Sequence, residues 1–125
     1  MGVSCGESME EENLSFAQEP VGGPISLSVD IYVDLGAIPG NQYPASFAIE
    51  KMLDVLTKDR YGLVLRGKVI GGSYIAYIDV YDKMTVHIRI NAMGEACLVC
   101  IAKHMLEALA KAINVKLEEV IVAAY

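Results

Sequence analysis

Apolar and polar residues alternate without a break from Ile25 to Leu35. Ile25, Leu27, Val29, Ile31, Val33 and Leu35 fall on one side; Ser26, Ser28, Asp30, Tyr32 and Asp34 fall on the other. A period of two sets one side on a core and leaves the other wet, so the spacing predicts a half-buried strand. Residues 36–44, GAIPGNQYP, break the pattern with two Gly and two Pro and predict a loop. Pro44 suits a first helical position. Beyond it the apolar period becomes helical through Ala45, Ala48, Ile49, Met52, Leu53 and Leu56, with Glu50, Asp54 and Lys58 on the wet side. Three more alternating segments follow, 63–70, 73–81 and 84–91, divided by Gly71-Gly72 and Asp82-Lys83. Those divisions read as hairpin turns. Gly67 interrupts the apolar side of the first segment, which marks a bulge or a point of close packing.

Residues 94–113, GEACLVCIAKHMLEALAKAI, have helix composition and no proline. Leu98, Ile101, Ala102, Met105, Leu109, Ala112 and Ile113 share one face, and Lys103, Glu107 and Lys111 line the opposite one. The last segment, 117–124, LEEVIVAA, reads as a short closing strand. The order is then β-α-β-β-β-α-β. Each helix has one apolar stripe and each long strand one apolar face. That predicts an α+β two-layer sandwich, ferredoxin-like, with both helices on one face of a mainly antiparallel five-stranded sheet. Right-handed crossovers through the helices return the chain to the sheet.

Charge changes the picture at one end only. Five of the sixteen acids lie in residues 1–22, which hold no Lys or Arg. With the P-V-G-G-P run that follows, residues 1–23 read as a disordered acidic tail, and 24–125 as a single domain. The remainder carries eleven acids against ten bases, so the net charge of −6 does not point to a ligand. No apolar run reaches the length of a membrane span, and no secretory signal is visible. Three cysteines without framework spacing point to a reducing, cytoplasmic setting. Scarce Gln and Asn beside abundant Val, Ile and Ala lean toward a heat-adapted source.

Candidate chemistry falls in two places. On the helical wheel of 94–113, Cys100 lies on the polar side between Lys103 and Lys111, with Cys97 and His104 at the border. Three readings compete, beside that of a plain exposed thiol. Ala96, Cys97, Cys100, His104 and Ala108 are mostly small and would admit a second helix. Cys97 and Cys100 form a C-x-x-C near a helix start, where thiolate is favoured; with His104 they are the candidate catalytic residues of a redox enzyme. The same three at i, i+3, i+7 could meet a metal, but a fourth ligand is not evident, so no metal is expected. A Cys within an alanine-rich helix, followed by I-N-V-K-L-E-E-V-I-V, resembles one segment of the OsmC-type hydroperoxide reductases over about a quarter of the chain. The resemblance implies peroxide chemistry at a thiol. The second Cys-bearing helix of that family is absent here, and the first half has a different element order.

The second place is the wet side of the sheet. It gathers Tyr32, Arg66, Tyr77, Tyr81, His87 and Arg89 with Ile75, Asp30, Asp34 and Asp79. Tyr and Arg are enriched at binding hot spots. The leading expectation is a small self-associating binding or scaffold module, a homodimer or higher homo-oligomer through this face. A thiol-dependent enzyme is one alternative. Single-stranded RNA stacked on the tyrosines is another, opposed by the three aspartates. A small molecule at the rim near loop 36–44 is a further one. Asp79 and His87, on adjacent strands, would form a general base or a cross-strand salt link. No nucleotide, zinc-protease or hydrolase motif is present, and no cofactor is expected.

Overall fold

The computed structural model describes residues 26–56, 60–61 and 64–125. The expected acidic tail lies outside them. The chain is α+β. Four long strands make the sheet: β1 (Ser26–Asp34), β3 (Val64–Val69), β4 (Gly72–Asp82) and β5 (Thr85–Gly94). A two-residue segment, β2 (Arg60–Tyr61), pairs with the outer edge of β3. The order across the sheet is β1-β5-β4-β3-β2, and every neighbouring pair is antiparallel. Helix α1 (Ala45–Leu56) connects one edge of the sheet to the other, and α2 (Leu98–Ile113) follows β5.

The two periods are realised over most of their length, although Leu27, expected inside, is exposed at the start of β1. Val33, Ala76, Ile78, Val86, Ile88 and Ile90 are buried on one face of the sheet. Ala45, Ala48, Ile49, Met52, Ile101, Met105 and Leu109 meet them from α1 and α2. Gly67 is a point of close packing: a Cβ there would overlap the ring of Tyr74, its cross-strand partner on β4. Thr85, expected on the wet side, is buried, at the corner where the Leu35 N–H donates to the Met84 carbonyl. Val80, expected inside, is exposed; it still pairs with Val86, and the β4–β5 register shifts just beyond it, between Val80 and Asp82. Such a bulge bends the strand away from its ladder.

The closing strand is not formed. Leu117–Val122 is a helix, α3, so the five-strand, ferredoxin-like order ending in a strand is corrected at this point. The reason lies in Glu118 and Glu119. They sit in the first turn, where the helix dipole favours acids, and Glu119 Oε1 accepts the Lys116 N–H at 3.3 Å. Val120 is then fully buried. Extended pairing is confined to the last three residues. Asp34 N–H donates to Ala123 O, Tyr32 N–H to Tyr125 O, and Tyr125 N–H back to Tyr32 O, at 3.0, 2.9 and 2.8 Å. These bonds cover the β1 edge at its C-terminal end, at Tyr32 and Asp34.

The second helix also starts later than its composition suggests. Gly94 ends β5 with φ +71°, and Cys97 is the N-cap of α2. The connector is fastened to the β3–β4 turn, where the Glu95 N–H donates to Gly71 O at 2.8 Å. At the far end Asn114 closes the helix in the left-handed region, with φ 60° and ψ 51°.

Candidate functional site

The face of the sheet opposite the helices is built in rungs. From one end they are Ser26–Met93–Ser73–Lys68, Ser28–Asn91–Ile75–Arg66, Asp30–Arg89–Tyr77 and Tyr32–His87–Asp79. Alternation brought these residues to one face. The antiparallel register decides which of them touch.

Asp30 is the hub. Its Oδ1 accepts from His87 Nε2 at 2.8 Å and from Arg89 Nε at 2.9 Å, and its Oδ2 accepts from Arg89 Nη2 at 3.1 Å. Those charge-assisted bonds, Arg89 first and His87 second, hold the carboxyl at about 2, well below the ordinary carboxylate range. They also raise the Arg89 guanidinium above its usual value. His87 Nδ1 bonds Asp79 Oδ1 at 2.8 Å. Desolvation opposes charge on the ring, but the hydrogen bonds and fields of Asp30 and Asp79 outweigh it, so the His87 pKa is raised. Each ring nitrogen faces a carboxylate oxygen at 2.8 Å, so neither is open to a substrate proton. Of the two readings of the Asp79–His87 pair, the geometry supports the salt link rather than the base.

An aromatic stack frames this network. Tyr32 lies flat against His87, with centroids 4.8 Å apart and planes at 22°. Tyr125 stacks on Tyr32 at 5.7 Å and 19°. Tyr81, in the β4 bulge, meets Tyr32 edge-on at 5.0 Å. Tyr77 stands opposite Arg89 and is exposed. Arg66 is two strands away on β3 and stays outside the network, as does Lys68. Of the six binding candidates, the structure therefore brings Tyr32, Tyr81, His87 and Arg89 together, with Tyr77 alongside. Sequence reasoning did not single out Asp30 as the hub, because alternation gives a residue's face but not its partners. Tyr125 was missed because the closing segment was read as a strand over 117–124, one residue short of it.

The thiol candidates lie elsewhere. Cys97 and Cys100 are joined as a disulfide. They are not placed as ligands with His104, and among the described residues no group of three or more His, Cys, Asp or Glu is positioned to hold a metal ion. Cys100 is buried, not on a polar side as the wheel placed it. One stripe was read from the sequence, but α2 packs against the sheet, α1 and α3, and its buried arc also takes in Cys100, Leu106, Ala108 and Ala110. Ala96, Cys100 and Ala108 are therefore covered by this chain itself. His104 is half-buried and lines a separate groove of about 520 Å³ with Val55, Leu56, Glu107, Lys111 and Leu117.

No helix among the described residues is long and apolar enough to cross a membrane. No known protein family, curated protein or solved structure matches this chain.

Proposed function

We propose that the protein is a self-associating binding or scaffold module, and that a second copy of the chain covers the outer sheet face. The observation that carries this is the layout of that face. Helices occupy the other side, while here Tyr77 and Tyr81 are exposed beside half-buried Ile75. Around Asp30, charges are already paired within the chain, so covering them does not leave a lone ion. Tyrosines that stack on one another are ordered before contact, which lowers the entropy cost of binding.

Charge complementarity favours a second copy as the occupant. Arg66 and Lys68 lie toward one end of the strands; Asp79 and Asp82 lie toward the other. A two-fold axis running across the strands reverses strand direction. It sets the cationic end of one copy over the acidic end of the next, with the Tyr77 rung near the axis. Such an interface is self-complementary, as a symmetric dimer requires. RNA is less well matched, since Asp30 and Asp79 stand among the tyrosines and repel phosphate.

Light scattering at micromolar concentration tests the reading. The native chain should have the mass of a dimer or a higher oligomer. Tyr77→Glu with Ile75→Lys should reduce it to a monomer that keeps its helical circular dichroism. A monomeric native chain, or an unchanged oligomer in the double variant, overturns it.

A further inference from the structure

Helix α2 opens on the two cysteines. Cys97 is its N-cap, in an extended conformation with φ −78° and ψ 99°, and its Sγ accepts the Cys100 N–H at 3.1 Å. The motif therefore follows a strand and begins a helix, instead of lying inside one. Cys97 is exposed, whereas Cys100 is 6% exposed. The first turn of α2 carries no acidic residue, so no carboxylate within that turn offsets the positive end of the 16-residue helix. Glycines in left-handed backbone, Gly71 and Gly94, and the Glu95–Gly71 hydrogen bond fix the connector that presents Cys97. Between the cysteines, Val99 is 76% exposed, which leaves an apolar approach to the bond.

We propose that Cys97 and Cys100 form a thiol–disulfide exchange site whose co-reactant is an accessible disulfide, or the matching thiols. This inference is independent of the self-association of the sheet. The two sulfurs have different parts. Cys97 is the attacking thiol, because it is reachable and its thiolate is favoured at a helix N-terminus. Cys100 is the resolving thiol, because it lies beneath Cys97 and is shielded from a bulky partner.

In the reduced chain, the Cys97 thiolate attacks one sulfur of a disulfide R–S–S–R′. The S–S bond breaks, R′–S⁻ leaves and takes a proton from water, and Cys97 is joined to R–S as a mixed disulfide. Cys100 then gives its proton to water and attacks Cys97 Sγ. R–S⁻ departs, is protonated in turn, and the Cys97–Cys100 bond is restored. Two electrons pass from the protein dithiol to the partner, which ends as two thiols. The reverse sequence oxidises a partner dithiol and leaves the protein reduced.

The probe is glutathione, with the full chain carrying Cys5→Ser so that two thiols remain. The disulfide form should be reduced by excess reduced glutathione in the folded protein. The reduced chain, treated with oxidised glutathione, should return to the intramolecular disulfide. In Cys100→Ser a glutathione adduct should accumulate on Cys97. In Cys97→Ser the folded chain should collect no adduct on Cys100 until urea exposes it. Acid quenching of the unsubstituted dithiol chain, with fragmentation to locate the adduct, asks the same question without a cysteine replacement that could impair folding; the trapped adduct should lie on Cys97. Adducts forming equally fast on either cysteine overturn the proposal. So does a disulfide that glutathione opens only after unfolding, which would make it a structural staple.

Discussion

Asp30 and Arg89 stand directly opposite one another on β1 and β5 and are joined by two parallel hydrogen bonds of 2.9 and 3.1 Å. The fork geometry of guanidinium on carboxylate is what Lys could not reproduce. Arg89→Lys should therefore keep the charge but loosen the pair. The readout is the His87 ring resonances in NMR: with the second bond gone, the Asp30 carboxyl should titrate at higher pH than in the native chain. An unchanged Asp30 titration would contradict this account.

The pH dependence of stability follows from the same cluster. His87 titrates above its ordinary 6.5 in the folded chain, so its pairing contributes fully below that value and is lost as pH rises through the folded pKa. Asp30 has the opposite sign. Depressed from 3.8 to about 2, it stabilises the fold above its ordinary pKa and ceases to do so as pH falls through about 2. Urea midpoints measured at about pH 5.5 and about pH 9 should be higher at the lower value. His87→Gln should flatten that difference, and a difference that survives the substitution would remove His87 as its source.

Gly67→Ala should destabilise the chain, because its new methyl group would overlap the Tyr74 ring. Overpacking of this kind costs about 1–3 kcal/mol. Calorimetry should show a lowered Tm. Replacing Tyr74 with Leu in the same chain should recover part of the loss, since the two substitutions share one clash and cannot add. Additive losses would place the cost elsewhere.

Asn114 holds the left-handed position that ends α2. Asn114→Val forces a β-branched residue into that region and should cost about 1–2 kcal/mol. Asn114→Gly should be neutral or slightly stabilising. Chemical denaturation of the three chains ranks them, and equal midpoints for Val and Asn would refute the claim.

Tyr125→Ala should lose the stack on Tyr32, an effect of about 0.5–1.5 kcal/mol, while Tyr125→Phe should lose almost none of it. A double-mutant cycle with Tyr32→Ala isolates the pair. No coupling between the two sites would mean that the contact does not stabilise the fold.

Which features were legible in the sequence depends on what each signal encodes. A period of two encodes the face of a strand, so Ile88 and Ile90 were assigned inside and His87 and Arg89 outside, as observed. It does not encode register. The meeting of Asp30 with His87, residues 57 apart, waits on which strands are neighbours. At Leu117–Val122 two signals disagreed. The run of Val and Ile argued for a strand, while Glu118 and Glu119 argued for the start of a helix, and the acids at the dipole prevailed. Near residue 94 the composition was helical, but the hairpin turn at Gly71 fastens Glu95, and the helix begins only after it. That delay of a few residues moved Cys97 from inside the helix to its N-cap, with Cys100 in the first turn.

The pairing of β1 with β5 has a consequence for the order of assembly. Strands β3, β4 and β5 follow one another through tight turns, so they can zip together by local contacts alone. β1 comes earliest of the described elements, yet its neighbour on the sheet is the last strand made. It must wait for the meander, then close a loop that contains α1, β2, β3 and β4. Distant pairings of this kind form slowly. In pulsed hydrogen exchange during refolding, amides of β4 and β5 should gain protection first, and those of β1 should join as the fold completes.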